Sequence, residues 1–329
     1  MAHDKMKRLM NLKQLLTQNF PNLAFQFNYP LALKSYFKIG GQAEVFYSAR
    51  NREEVSSLLT FCVKQEIPFH ILGGASNVIV ADEGLKGLVL SLEMKNFEVL
   101  EDREDLLILR AEAGIKTAQL VAKAAQLGGS GLEGFIGVPG TLGGAIYNNA
   151  HYLDSLIGDH IQMVEVFDVK KNEIVHFSHE KCQFAYEQSI FQNNPLLLIF
   201  SATFALKKDD PELIQQALQA SIERRQSRQP LDLPSCGCVF QNPKNTAKLK
   251  ELFPQFQQKE FIPSGFLIEQ AGLKGVREGD IQVSEKHAAF FVNLGQGKAS
   301  DVKKLIAKVK RVVFEKFDVM LKEEVFYLT

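Results

Sequence analysis

Apolar and polar residues follow two periods along this chain, and the switches between them outline the fold. REEVSSLLTFCVKQ (52–65) repeats its apolar positions every three or four residues and predicts an amphipathic helix. IPFHIL (67–72) predicts a strand running into the turn Gly73-Gly74. GLVLSL (87–92) and LLILRAEAG (106–114) predict further strands, and KTAQLVAKAAQLGG (116–129) a helix stopped by Gly-Gly. MVEVFDV (163–169) and EIVHFS (173–178), joined by KKN, predict a hairpin, and LLLIFSATFAL (196–206) has the unbroken apolar run of a buried strand. Asp210-Pro211 offers an N-cap and a first-turn proline to a helix over 212–229, with a domain boundary nearby.

The final third repeats the mixture in smaller form. SGFLIEQAGL (264–273) predicts a helix, HAAFFVNL (287–294) a strand, DVKKLIAKVKRVVFEKF (301–317) a long helix capped by Ser300, and EEVFYL (323–328) a last strand. The mixed order predicts an α+β protein, and no repeat or low-complexity tract points to a solenoid or a disordered tail.

Composition narrows the function more than the fold. Lys plus Arg and Asp plus Glu both total 38, so no net charge draws the chain to nucleic acid or an anionic membrane. No apolar run reaches membrane-spanning length and the start lacks a signal-peptide core, so a cytoplasmic protein is expected. The four cysteines are too few and too scattered for a disulfide framework, and Cys236-Gly237-Cys238 lacks the second pair a structural zinc needs.

Three stretches carry candidate chemistry. Gly73-Gly74 with Ser76 and Asn77 combines bare backbone with hydrogen-bonding side chains, which suits a phosphate or a flavin and equally suits an ordinary tight turn. Residues 131–150 hold six glycines and Pro139, and such a run can wrap amides around a pyrophosphate. The match of residues 129–134 to G-x-G-x-x-G follows a helix, not a strand, which excludes a Rossmann site. In PSCGCVFQNP (234–243) a thiol offers a proton of far lower pKa than an alcohol's, although either cysteine alone also reads as a packing residue. In VSEKHA (283–288) neighbouring polar residues alternate faces, so His287 reads as ordering its own loop.

Eight segments in one order extend these stretches: SYFKIGGQA, ILGGASNVIV, GLEGFIGVPGTLGGAIYNNA, FAYEQSIF, RQPLDLPSCGCVFQNP, GFLIEQAGLKG, VSEKHAAFFVN and EEV. In that order the chain resembles the UDP-N-acetylenolpyruvoylglucosamine reductase family. The resemblance implies a helical segment over 1–30, an FAD-binding fold of the vanillyl-alcohol-oxidase class over 31–208, and a smaller α+β substrate-binding domain over 209–329 whose last strand carries Glu324. It is closest to the shorter of the family's two architectural types, with 244–263 as a local expansion that reads as an added surface helix.

The resemblance further implies FAD held by Gly73, Gly74, Ser76, Asn77, Gly137, Pro139, Gly140, Thr141, Gly143 and Gly144. It implies NADPH as hydride donor and UDP-N-acetylenolpyruvoylglucosamine as substrate, in peptidoglycan precursor synthesis, with no nucleic acid, membrane or obligate protein partner. Cys238 takes the position of the family's proton-donating serine, and Glu324 that of a glutamate that positions or protonates the intermediate. Tyr186, Arg228 and Asn242 match substrate-binding positions. Glu187 stands where the family has an arginine directly after the tyrosine to stabilise the substrate's carboxylate, so either another cation, Arg224 or Arg225, substitutes or that stabilisation weakens. The alternatives are a related FAD-dependent oxidase of a small alcohol or sugar, and a catalytically weakened flavin- or nucleotide-binding module.

Overall fold

The computed structural model describes residues 2–153 and 155–329, with side chains from residue 11 onward. The chain forms two compact units: Met1–Tyr29, Ala43–Gly74 and Lys86–Arg225 make the first, and Pro30–Gln42, Ala75–Leu85 and Gln226–Thr329 the second. These units cut across the linear boundaries expected at 30/31 and 208/209. The departure has a physical cause within the second unit: strand Val78–Val80 pairs in parallel with the terminal strand Phe326–Leu328, and Phe37, Ile39 and Ile79 are buried in that unit's core. Two excursions of the N-terminal half therefore fold with the C-terminal third.

The first unit is built on two sheets. One runs Gln26–Pro30, Gln42–Ala49, Leu85–Leu92, Phe69–Leu72, the last two parallel with Phe69 beside Leu88. The other is antiparallel in the order Glu173–Ser178, Ile161–Asp168, Leu197–Lys208, Leu106–Glu112, Phe97–Asp102. Leu197–Lys208 is its central strand and is buried along nearly all its length, whereas the edge strand Phe97–Asp102 is largely exposed. An apolar run unbroken by polar alternation is what a strand covered on both faces requires. Helix Arg52–Lys64 is capped by Asn51, whose side chain accepts from Glu54 N, and buries Val55, Leu58, Leu59 and Cys62. Helix Thr117–Gln126 buries Leu120, Val121, Ala124 and Ala125.

One polar row crosses this apolar sheet. Strand register sets Glu112 opposite Ser201, Ser201 opposite Glu165, and Glu165 opposite His176. Arg52 reaches the row from its helix, with Nη1 2.6 Å from Glu165 Oε1 and Nε 3.7 Å from Glu112 Oε1. Two nearly buried carboxylates are thereby matched by one guanidinium, and removing that partner leaves both uncompensated.

In the second unit an antiparallel sheet runs Ser235–Cys238, Phe290–Asn293, Ile281–Val283, Arg277–Glu278. Helix Ala299–Phe317 packs Val302, Leu305, Ile306, Val309, Val313 and Phe317 into the core at three- and four-residue spacing. The expected Ser300 cap is corrected: the helix already begins at Ala299, and Ala299 N and Ser300 N both donate to the Asp82 carboxylate, at 2.7 and 3.0 Å. A distant acid fills the anion-accepting end of the helix. The 244–263 expansion is likewise more than a surface addition. It contains helix Ala247–Leu252, buries Leu249 and Ile262, and sets Phe253 edge-on to Phe266 and Phe317 at 4.9 and 5.6 Å. Among the described residues no helix is long and apolar enough to cross a membrane.

Arg52→Met is expected to destabilise the protein by about 2–3 kcal/mol in urea melts, the lower end for a broken buried pair because solvent reaches the guanidinium. Adding Glu165→Gln should recover part of that loss. At Asp82, burial pushes the carboxyl up, but hydrogen bonds from Ser300 and Ala299 and the Lys298 charge prevail and hold it below the ordinary range. Its contribution is therefore present above the unfolded value near pH ~4 and disappears as pH falls through the lower folded value. Asp82→Ala should cost about 1 kcal/mol at neutral pH, as a lost cap does. The gap from wild type should close in acid melts.

Candidate functional site

The first unit brings together the two glycine stretches. A Cβ on Gly74 would lie 2.2 Å from the Gly140 Cα, and one on Gly73 2.8 Å from Thr141 Oγ1 and 3.8 Å from Gly144 N. Backbone thus lies directly on backbone, and Gly140 itself takes a left-handed φ of +106°. Thr141 Oγ1 is buried with no hydrogen-bond partner among the described residues. Bare main chain beside an unused buried hydroxyl fits the pyrophosphate of a dinucleotide, which needs donors at close approach.

The remaining expected cofactor positions divide. Gly143 is small for another reason: its N–H donates to Ala113 O at 2.8 Å and a Cβ there would meet Ala113 Cβ at 2.9 Å. Leu142 N likewise donates to Ile115 O. The opening amides of the short helix Leu142–Tyr147 are therefore committed to backbone carbonyls. Gly137 makes room for Arg225, whose Cδ lies 2.3 Å from where a Cβ would stand. Pro139 and Gly144 are exposed. Ser76 and Asn77 belong to the second unit.

Beyond the glycines the first unit holds a polar cluster. Ala185 and Gln188 exchange main-chain hydrogen bonds, leaving Tyr186 and Glu187 at the tip of a tight turn with Glu187 at φ +54°. Asn149 Nδ2 donates to Ala185 O at 2.7 Å, and Ser189 Oγ to Tyr147 O at 2.6 Å, so the turn is fastened to the end of the glycine-rich stretch. Glu187 is only 2% exposed, and its Oε1 lies 3.6 Å from His151 Nδ1. The His151 and Tyr186 rings are 4.9 Å apart. Burial, aided by the Arg225 charge, holds His151 below the ordinary imidazole range. Of the two candidate cations Arg224 is exposed, whereas Arg225 enters the cluster with its guanidinium 5.2 Å from the Tyr152 ring. The sequence reading missed His151 and Tyr152, which lie 36 and 34 residues from Glu187 and Tyr186 and follow no local pattern.

In the second unit the segments that carry Cys238 and Glu324 pair through their main chains. Cys238 ends strand Ser235–Cys238 opposite Phe290. The chain after it runs beside the C-terminal segment: Glu324 N donates to Val239 O at 2.9 Å, Phe240 pairs with Glu323, and Gln241 N donates to Lys322 O. Glu324 therefore stands one position from Cys238 across a main-chain ladder. Asn77 secures that segment, donating from Nδ2 to Glu324 O at 3.2 Å and accepting from Phe326 N at its own carbonyl. Glu323 is bound elsewhere, at 3.0 Å from Lys310 Nζ and 2.5 Å from the Tyr327 hydroxyl.

Burial sets the cysteines apart. Cys62, Cys182 and Cys236 are buried with thiols pushed up to about 12, whereas Cys238 is only half-buried. All four are free. Asn242 Oδ1 accepts from Ser264 N at 2.9 Å. Arg228 is exposed at the end of helix Pro211–Arg228. Its charge, after burial and Lys274, helps hold His287 below the ordinary range. His287 supports its own loop, accepting at Nδ1 from Ala289 N. Among the described residues no three His, Cys, Asp or Glu side chains converge as metal ligands.

Residues 229–328 match the model of the UDP-N-acetylenolpyruvoylglucosamine reductase C-terminal domain, and residues 43–178 match that of an FAD binding domain. The chain is 36% identical to the UDP-N-acetylenolpyruvoylglucosamine reductase of Synechococcus sp. (strain JA-3-3Ab) over 90% of its length and 88% of that protein's. It is 34% identical to the protein of the same name from Listeria innocua, covering 94% and 97% of the two chains. The crystal structure of UDP-N-acetylenolpyruvylglucosamine reductase (MurB) from Thermus caldophilus superposes with a TM-score of 0.74 at 27% identity, covering 94% of this chain and 99% of that one.

Two glycine substitutions separate packing from exposure. Gly74→Ala forces backbone apart at Gly140 and should destabilise the apoprotein by about 1–3 kcal/mol, as overpacking does. Gly144→Ala meets nothing nearer than Thr141 Oγ1 at 3.8 Å. It should stay within about 0.5 kcal/mol of wild type in the same thermal denaturation experiment.

Proposed function

The chain belongs to the UDP-N-acetylenolpyruvoylglucosamine reductase family, and from that premise we propose that it reduces UDP-N-acetylenolpyruvoylglucosamine to UDP-N-acetylmuramate, with FAD as cofactor and NADPH as hydride donor. The observation that supports the reading is the main-chain ladder that pairs Glu324 with Val239, next to Cys238, because it joins two segments 86 positions apart that carry the residues assigned to the reaction.

FAD, when bound, supplies the two-electron chemistry that links the nicotinamide to the enolpyruvyl double bond. Gly73, Gly74, Gly140, Thr141 and Gly144 would hold its pyrophosphate. Gly137 and Gly143 support that cradle indirectly, through Arg225 and Ala113. Reduction of the double bond adds hydride at one carbon and needs a proton at the carbon bearing the carboxylate. Cys238 is assigned as the donor of that proton: it is the half-buried thiol, and a thiol gives up a proton far more readily than an alcohol in the same place. Cys236 is unsuited, since burial holds its proton too tightly.

Glu324, one ladder position from Cys238, is assigned to position or protonate the intermediate. Tyr186, Arg228 and Asn242 are assigned to the substrate, with Asn242 oriented by its bond to Ser264 N. A cytoplasmic setting suits a reaction between soluble nucleotides.

Anaerobic stopped-flow absorbance tests the whole reading. NADPH should bleach the flavin, and UDP-N-acetylenolpyruvoylglucosamine should restore it. Bleaching without recovery would sink the substrate assignment and favour a weakened module, and turnover that needs oxygen and no sugar nucleotide would favour the oxidase. Cys238→Ala should leave bleaching intact while slowing recovery by about two to four orders of magnitude, the range for a lost general acid. Cys238→Ser should recover a measurable part. Equal slowing of both phases by Cys238→Ala would remove Cys238 from the role of proton donor.

A further inference from the structure

We propose that His151, backed by the buried carboxylate of Glu187, is the group of this chain that meets the substrate's carboxylate, in the role the family pattern gives to an arginine directly after the tyrosine. The inference rests on the reading of the substrate as an enolpyruvyl sugar nucleotide. It starts from the position of Glu187. That residue sits at a left-handed tip between two paired residues, its carbonyl accepts from Gln192 Nε2 at 3.0 Å, and its side chain is 1% exposed. It is fixed in place, and a fixed acid repels an incoming carboxylate unless a cation stands between them.

The imidazole is placed to be that cation. Nδ1 lies 3.6 Å from Glu187 Oε1, the ring packs on Tyr186, and the side chain remains 25% exposed. An imidazole edge turned to one carboxylate leaves the opposite nitrogen, Nε2, for a second. Among the described residues, the groups facing the ring are Glu187 and Tyr186 from the turn, and Arg225 from helix Pro211–Arg228. Burial and Arg225 both oppose protonation in the free protein.

Proton accounting then fixes the consequence. A neutral ring whose only N–H is on the edge facing Glu187 presents a lone pair at Nε2 and cannot donate to an anion. A protonated ring donates at both edges. The arriving carboxylate raises the ring's affinity for a proton, so binding draws one from solvent onto His151. No covalent bond to carbon changes in this step. A guanidinium at the same place would already be charged and would take up nothing.

Titration calorimetry of the flavin-loaded protein tests this directly, using buffers of different ionisation enthalpy near pH ~7.5, above the ordinary histidine range. UDP-N-acetylmuramate carries the carboxylate and UDP-N-acetylglucosamine lacks it. Wild type should take up a proton with the first ligand and none with the second. His151→Asn should abolish that uptake and weaken UDP-N-acetylmuramate about tenfold, roughly 1.4 kcal/mol, while holding UDP-N-acetylglucosamine near its wild-type affinity. Glu187→Gln should reduce the uptake.

Uptake that persists in His151→Asn, or a loss of affinity shared equally by both ligands, would overturn the role of His151 while leaving the substrate reading intact. Failure of wild type to bind either nucleotide would overturn the substrate reading and this inference with it.

Discussion

The two glycine loops of the first unit touch through their backbones, and the candidate cofactor cradle depends on that contact. With 2.2 Å between the Gly140 Cα and a Cβ built on Gly74, no side chain of any size fits while the loops stay where they are. What the contact yields is a concentration of main-chain polarity that side chains would otherwise screen. Leu142 N and Gly143 N spend their hydrogen bonds on Ile115 and Ala113, which fixes the second loop and leaves the buried Thr141 hydroxyl as its unused donor. Rigidity and binding capacity come from the same shortage of side chains.

In the second unit the equivalent constraint is a ladder between distant segments. The C-terminal strand pairs with Val78–Val80, and the residues just before it pair with those after Cys238. Asn77 stitches both pairings together through its side chain and its carbonyl. Among the residues expected on a cofactor, Asn77 thus has a second task, because the position of Glu324 depends on it. Glu323 adds to that position by binding Lys310 and Tyr327 instead of competing for the same space. Two adjacent glutamates consequently have different surroundings and different work.

Local pattern carried much of this fold and little of its wiring. The strand LLLIFSATFAL, the hairpin around KKN and the helix opened by Asp210-Pro211 were legible because each is specified by its own residues. The linear domain boundaries were not, since Phe37, Ile39 and Ile79 look like any other buried apolar residues until the segments they pack with are known. The Asp82 cap shows the same limit. Ser300 stands where a local cap is read, yet an acid 217 positions away holds the helix end. At the candidate site, motif order named Cys238, Glu324 and the glycines, whereas the role proposed for His151 follows from no local mark and rests on its distance from Glu187.

Glu187 shows why a single position is a poor unit for judging a binding site. Taken alone, an acid where the family pattern expects a carboxylate to bind reads as loss of function. Its cost depends on the net charge within a few ångströms, because Coulomb energy falls off slowly in a partly buried site. There the acid faces an imidazole that Arg225 also influences, so among the described residues the charge of the cluster is set by three side chains from three segments of chain. Two of those charges are fixed in sign near neutral pH when the acid is ionised, and the third can follow the ligand. A cluster of that kind can recognise an anion with an acid in its midst, provided the titratable member lies on the ligand's side, and the one-quarter exposure of His151 against 1% for Glu187 favours that order.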